Sequence, residues 1–394
     1  MLKRIPFLRF TLYVLLVTIL FACAPLTPTP PVGGTVTEPP TVETETPPPV
    51  ETETPLGQPP IEPIPVHVGY GAKGSFFEVY FTDPSNPAAS QQTGGVEQAL
   101  IASIDAARLS VDVAIYSLSL REVANALLRA RDRGVAVRIV MESDNRERSV
   151  PQALIEAGIP ILGDRREGLM HDKFVIIDRS EVWMGSLNFT NDGAYKDNNN
   201  LIHIRSVKVA ENYLVEFEEM YTDDLFGTDS IATTPNPILT VDGIQVETYF
   251  SPDDGVAARV VELLQGAQES IYFMAYSFTS DDIAQAMLDK HDAGLEVQGV
   301  MDSEQAKSNQ GTEIDLFLQT GLDVRTDVHK GLMHHKVIII DRSIIITGSY
   351  NFTASAEDRN DENLVIFFSP EIAHLFIVEF ERVFNAAQTP QPSN

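Results

Sequence analysis

The sequence is poor in cysteine, in positive charge and in long apolar runs, and each shortage excludes something. Cys23 is the only cysteine in 394 residues. No intramolecular disulfide can therefore staple the chain, although exported domains often carry them. Lysine and arginine number 28 against 56 acidic residues, a formal net charge of −28. Three basic and six acidic residues precede Val66, so −25 of that charge falls on the rest. A protein that lives by binding polyanions usually shows a basic surface, because neutralised phosphates supply much of nucleic-acid affinity. The bulk charge lacks that signature, which leaves only a local basic patch for such binding. From Ala24 to about Pro65 periodic apolar positions are nearly absent and proline, threonine and glutamate dominate, so this stretch cannot bury enough surface to fold.

The first residues carry a compartment signal. Lys3, Arg4 and Arg9 precede an apolar run over about 10–22, too short to span a bilayer comfortably, which is a signal-peptide pattern. The run ends Leu20-Phe21-Ala22-Cys23 and resembles the lipobox of bacterial lipoproteins, with Phe21 an unusual occupant. The resemblance implies acylation of Cys23 as the mature N-terminus and an extracytoplasmic protein anchored to the cell membrane by lipid. An ordinary signal peptide or an uncleaved anchor helix are the alternatives. Residues 23–65 then read as an extended tether, at ~3.1 Å per residue on the order of 100 Å long.

The remainder is organised by a duplication. Glu78–Phe81 matches Glu247–Phe250, VDVAIYSLS from Val111 matches IYFMAYSFT from Ile271, and VAVRIVMES from Val135 matches LEVQGVMDS from Leu295. The longest match sets GLMHDKFVIIDRSEVWMGSLNFT from Gly168 beside GLMHHKVIIIDRSIIITGSYNFT from Gly331. The offsets are 169, 160 and 163 residues for the first, second and longest matches, so insertions fall in the connections. Helical periodicity over 96–109 and 256–268 precedes an apolar strand, and an amphipathic stretch over 120–132 or 281–292 precedes another. Gly134 and Gly294 stand where those helices should be capped. Helical tails over 207–221 and 370–384 close the halves. The pattern predicts an α/β protein of two duplicated halves, each a mixed sheet flanked by helices, packed about a pseudo-twofold axis. The expected boundaries are a signal segment 1–22, tether 23–65, first half 66–228, linker 229–244, second half 245–388 and tail 389–394.

Each half carries H-x-K-x4-D: His171, Lys173 and Asp178, then His334, Lys336 and Asp341. A His and a Lys two apart on a strand share one face. Fourteen residues after each His begins G-S-x-N-F-T, which adds Ser186 and Asn188, and Ser349 and Asn351. Cleaving a phosphodiester without a metal requires a nucleophile, an acid for the leaving oxygen, and fixed cations and donors around the phosphoryl oxygens. Two His–Lys–Asn sets, with Ser186 and Ser349, supply all three. Lysine is a poor metal ligand, and His171 and Asp172 point to opposite faces of a strand. No metal or other cofactor is expected.

The paired motifs resemble the phospholipase D superfamily, whose members include phospholipases, cardiolipin synthases and nucleases, and the resemblance covers nearly everything after the tether. It implies that both motifs meet at a pseudo-twofold interface, that His171, Lys173, Asn188, His334, Lys336 and Asn351 are catalytic or phosphate-binding, and that Asp178 and Asp341 support the motif structurally. It further implies His171 as nucleophile and His334 as general acid. Twenty-eight residues after each His stands a residue that the family uses to orient an imidazole, Asn199 in one half and Glu362 in the other. Asn199 departs from the usual acid. Glu362 is expected to reach His171 and Asn199 to serve His334. His67, His203, His291, His329, His335 and His374 read as bystanders.

Three functions stay open on the sequence alone. A phospholipase D acting on phosphatidylcholine or a similar phospholipid agrees with the expected membrane anchor and the acidic body. An exported endonuclease agrees with the shared G-S-x-N-F-T. A non-catalytic phosphate-binding surface protein is opposed by two complete His–Lys–Asn sets. Because both motifs lie in one chain, a functional monomer is expected.

Overall fold

The computed structural model describes residues 61–390. The expected signal segment, Cys23 and nearly all of the expected tether lie outside the described residues. Lys173–Ile177 and Lys336–Ile340 are apolar after their lysines, so both strand faces must be covered, and each run is an interior strand of a large sheet.

The first sheet has nine strands in the order Glu62–Ile64, Tyr70–Lys73, Phe77–Phe81, Asn200–Arg205, Glu181–Gly185, Lys173–Ile177, Ser110–Ile115, Ala136–Met141 and Ile161–Gly163. The second has eight: Ile238–Val241, Ile244–Ser251, Glu362–Phe368, Ile344–Gly348, Lys336–Ile340, Ser270–Ala275, Glu296–Met301 and Asp323–Thr326. In each sheet the last three strands are parallel, joined through helices, and the others antiparallel. This is the expected duplicated α/β architecture.

Strand periodicity sorts the side chains into layers. Phe174 and Ile176 face a core shared with Met274 and Ile339 of the other sheet and with the tail helices Val207–Tyr221 and Pro370–Ala386. Val175 and Ile177 face the opposite way, in the core that includes helices Glu97–Ala106 and Arg121–Asp132, and Ile338 and Ile340 do the same with Val256–Gly266 and Asp281–Asp292. The shared core joins the halves. Tyr213 sits edge-on between Phe174 of the first half and Phe250 of the second, with ring centroids 5.0 and 5.1 Å away. Burying one such ring stabilises by about 1.5–3 kcal/mol, so Tyr213→Ala should loosen the joint and not merely one half. Both tail helices start with the same cap, Ser206 accepting from the Val209 amide and Ser369 from the Ile372 amide.

Two expected boundaries shift. The tether does not run to residue 65, because Glu62–Ile64 already pairs with Tyr70–Lys73 at the sheet edge, a position that tolerates Pro63. Likewise the linker expected over 229–244 contains Ile238–Val241, which forms a hairpin with Ile244–Ser251. Asp242 and Gly243, with φ of 48° and 84°, make its two-residue turn.

Candidate active site

Each motif histidine is delivered by its own strand but fastened by the other half. The His171 amide donates to the Asp361 carbonyl at 2.9 Å, and the Asp361 amide returns to Leu169 at 2.9 Å. The His334 amide donates to Asn198 at 3.0 Å, and the Asn198 amide returns to Leu332 at 2.8 Å. The backbone before each imidazole is thus stitched across the pseudo-twofold interface.

His171, His334, Asn188 and Asn351 line one cavity of about 510 Å³, with Tyr116, Tyr276, Leu169 and Leu332 around them. Lys173 and Lys336 are buried beside it. Their ammonium groups donate to the carbonyls of His171 at 2.5 Å and His334 at 2.8 Å and sit 5.3 and 4.8 Å from the rings of Tyr116 and Tyr276. The two tyrosines are site residues absent from the sequence reading. Their signal was present: both occur in the second repeat landmark, immediately before Ser117 and Ser277.

The imidazoles are held through their Nδ1 atoms. Glu362 Oε2 lies 2.7 Å from His171 Nδ1, and Asn199 Oδ1 lies 2.9 Å from His334 Nδ1, the cross-pairing expected from the asymmetry of the two repeats. Asn199 Nδ2 donates to the Gly193 carbonyl at 3.0 Å, so its amide orientation is set. The Ser186 carbonyl is a second acceptor 3.1 Å from His334 Nδ1. With acceptors on Nδ1, that atom carries the hydrogen, and Nε2 of each ring is left for the cavity.

Burial, then the ammonium groups of Lys173 and Lys336, hold His171 well below the ordinary imidazole range. Burial does the same to His334, followed by Lys336, Lys173 and His171. Burial pushes Lys173 down to about 8 against the pull of Glu362 and Asp172, and drives Lys336 well below its ordinary value. Burial lifts Glu362 to about 7, opposed by Lys173. Burial therefore favours the uncharged imidazoles, and an incoming phosphate anion favours the return of a proton to one of them.

Two expectations need correction, those for the serines and for His335, while the two motif aspartates stand away from the cavity as structural supports. Ser186 and Ser349 do not face the cavity. Both are fully buried; Ser186 Oγ donates to Asn199 Oδ1 at 2.8 Å, and Ser349 Oγ accepts from the Asn363 amide at 3.0 Å. Gly185 and Gly348 turn them inward, since a Cβ there would meet the Asn200 or Asn363 carbonyl at 2.5 or 2.1 Å. Asp178 and Asp341, although part of the motif, lie at the far ends of its strands. Asp178 accepts from the Arg108, Leu109 and Ser110 amides, and Asp341 from those of Gln268, Glu269 and Ser270. They hold the entry to the neighbouring strand and touch no reacting group. Finally, His335 faces away from His334 but is no bystander: it bonds Glu379 Oε1 at 2.8 Å and receives Asn200 Nδ2 at 3.3 Å across the interface. Its counterpart Asp172 receives Asn363 Nδ2 at 2.7 Å. His203 stacks on Trp183, 4.2 Å between centroids, and pairs with Glu181, while His329 pairs with Asp327. Among the described residues no group of three His, Cys, Asp or Glu side chains is placed to hold a metal ion.

A family profile described as "Cardiolipin synthase, PLD-like domain" matches residues 100–221 and 260–384. A phospholipase D of Rickettsia bellii (strain RML369-C) is 32% identical over 163 residues, 40% of this chain and 81% of that protein. A mitochondrial cardiolipin hydrolase of Chlamydomonas reinhardtii is 33% identical over 128 residues, 32% of this chain and 57% of that relative's length. Each match is about as long as one half. Among solved structures, the phosphatidylserine synthase of Haemophilus influenzae Rd KW20 superposes with a TM-score of 0.58 at 13% identity, covering 79% of this chain and 87% of that one, a likeness of fold.

Proposed function

Because the chain belongs to the cardiolipin synthase, phospholipase D-like domain family and is a phosphodiesterase of that superfamily, we propose that it hydrolyses the head-group ester of membrane phospholipids through a covalent phosphohistidine, without a metal. The observation that carries this reading is the cavity where two His–Lys–Asn sets meet, each imidazole oriented from the opposite half. Neutral His171 Nε2 attacks phosphorus, and the bond to the alcohol oxygen breaks as His334, protonated at Nε2 beside the bound phosphate anion, gives that oxygen its proton. His334 then takes a proton from water, whose oxygen displaces His171 from phosphorus. A carboxylate behind His171 supports the positive charge its ring gains on attack. Lys173, Lys336, Asn188 and Asn351 hold the phosphoryl oxygens as charge builds.

Lipid is favoured over nucleic acid by the mouth of the cavity. Leu169, which is 38% exposed, and Leu332 line it with Tyr116 and Tyr276 around the two histidines. The −25 body also repels a polyanion within about a Debye length, ~8 Å at physiological salt. An endonuclease is the second reading, favoured by the charge of the two buried lysines, which serves any phosphodiester. Release of head group from phospholipid vesicles and nicking of plasmid are to be assayed side by side with chelator, His171→Ala being the blank. Lipid turnover is expected to dominate. Nicking that vanishes in the variant, with no lipid turnover by the wild type, would move the assignment to the nuclease.

We further propose that the protein lies outside the cytoplasm, lipid-anchored through Cys23, a reading supported by the N-terminal pattern, and that it acts as a monomer, supported by both motifs lying in one chain. Two acyl chains are needed for stable anchoring, because one binds only marginally. Cys23→Ser should leave the precursor unacylated and shift it out of the membrane fraction; unchanged mass and fractionation would refute the anchor.

A further inference from the structure

The tail helices of the two halves carry one pattern, Val215-Glu216-Phe217-Glu218-Glu219 and Val378-Glu379-Phe380-Glu381-Arg382, and each packs against the strand that begins at a motif lysine. On the His334 side the pattern closes an ion-paired clasp. Glu379 Oε1 bonds His335 Nε2 at 2.8 Å, and Arg382 donates to Glu379 Oε2 and to Asn198 Oδ1, both at 2.7 Å. Asn198 is the residue whose carbonyl receives the His334 amide. Charge is balanced there, a cation standing between a carboxylate and an amide.

The equivalent positions on the His171 side, each 163 residues away, hold Asp172, Glu216, Glu219 and Asp361. Where the first clasp has His335, Arg382 and Asn198, this one has three more carboxyl groups. Asp361 accepts the Gly227 amide at 2.6 Å and Glu219 the Ile231 amide at 2.9 Å, so the segment linking the halves serves those two. Asp172 and Glu216 are buried, and Asp172 Oδ2 and Glu216 Oε1 accept from no donor among the described residues. Asp253, Glu219 and Asp361 add negative charge around Glu216, and Glu362 adds it around Asp172, where Lys173 acts in the opposite sense. Two such carboxylates are costly to keep ionised in a core. A proton between them removes one charge and supplies the missing donor.

We infer that Glu216 is a positioning residue for His171, acting as a carboxylic acid that shares a proton with Asp172, so that protons fasten the clasp behind His171 where an ion pair fastens the one behind His334. The inference rests on the reading of the site given above. Its route to the imidazole is short. Asp172 follows His171 in the chain and receives Asn363 Nδ2 at 2.7 Å, the Asp361 carbonyl receives the His171 amide at 2.9 Å, and Glu362, which holds His171 Nδ1, stands between Asp361 and Asn363. Loss of the proton sets like charges across this joint and pushes the segment carrying Glu362 away from the one carrying His171. Burial, then Asp172, lifts Glu216 well above the carboxylate range, and burial lifts Asp172 to about 7. A raised carboxyl pKa gives stabilisation that is complete at low pH and lost as pH rises through the folded-state value, here about 7 and above.

The test sets Glu216→Gln against Glu379→Gln, the same substitution at equivalent positions. Urea midpoints are measured without substrate at pH 5 and pH 8, and kcat at saturating phosphodiester, where bound phosphate keeps the lysines charged. An amide in place of Glu216 keeps the shape and a donor toward Asp172. Glu216→Gln should match the wild type at pH 5 and exceed its midpoint at pH 8 by about 0.5 M urea, roughly one pKa unit for a chain of this size. Its kcat at pH 8 should rise about two- to ten-fold over the wild type. Glu379→Gln breaks an ion pair and should lower midpoint and kcat at both pH values alike. Asp172→Asn should reproduce the Glu216→Gln pattern, which separates a proton effect from local misfit. Stability lost at both pH values in Glu216→Gln and Asp172→Asn overturns the proton-held clasp. Midpoints as expected with kcat unmoved overturn the positioning role. Absence of turnover with every phosphodiester overturns the reading of the site, while the midpoints still decide the clasp.

Discussion

The two halves present the same three side chains at the same spacing, yet each hands the other a different partner. His171 leans on a carboxylate from the second half, His334 on an amide from the first. One residue further along each strand, Asp172 meets Asn363 while His335 meets Asn200 and Glu379. Duplication preserved the geometry of the clasp, and the exchange of partners gives the two imidazoles different surroundings. On the proposed mechanism, a carboxylate raises the basicity of the ring that attacks, whereas an amide orients the ring that parts with its proton. A substitution in one half is consequently felt first by the histidine of the other.

The comparison can be broken most directly at the histidines. His171→Ala should abolish turnover of every phosphodiester, whereas His334→Ala should lower kcat by about 10²–10⁴ for an alkyl leaving group and far less for p-nitrophenolate, which leaves without a proton. Peptide mass spectrometry of the trapped intermediate should find phosphate on His171; a label on His334 reverses the two roles. The next effect separates the orienting residues: Glu362→Gln should slow kcat by about 10–100-fold and Asn199→Ala by less than about ten-fold, and equal losses would mean that the partners do not differentiate the rings.

A smaller effect concerns the lysines. The protonated ammonium is the form that binds phosphate, so it is present below the pKa and lost as pH rises. With Lys173 held near 8 and Lys336 well below its ordinary value, kcat/KM should fall as pH rises to and past about 8, and Lys173→Arg should carry upward the part of that limb that Lys173 sets, because a guanidinium keeps its proton. An unmoved limb in that variant assigns it to another group. Smallest of all, and symmetric, is the expectation for Asp178→Ala and Asp341→Ala. Each should lose about 1–3 kcal/mol of stability by denaturant titration while kcat stays within about two-fold, since these carboxylates bond only backbone amides.

Much of the fold was legible because local periodicity carried it. The helices Asp281–Asp292 and Val207–Tyr221 match the expected stretches residue for residue, and the apolar runs after His171 and His334 are interior strands. Edge elements were harder to read. Ile238–Val241 is half exposed and short, so its alternation carries little apolar contrast, and the Asp242-Gly243 turn that announces it lay inside a stretch dominated by Pro235 and Pro237. At the site, the residue types and their spacing identified the His, Lys and Asn side chains. The motif match did not reveal which way the serines turn, because that depends on the close approach of Gly185 to Asn200 and Gly348 to Asn363.

By itself the sequence determined the duplication, the two His–Lys–Asn sets and the faces on which they stand, since strand alternation is a local rule that needs no knowledge of the partner. Only the tertiary structure decided that residues 171 and 362 touch and that His335 and Asp172 join the interface. Those contacts link positions up to 191 residues apart, and they exist because a shared core fixes one sheet against the other. The chemistry was written locally, and its asymmetry arises from packing.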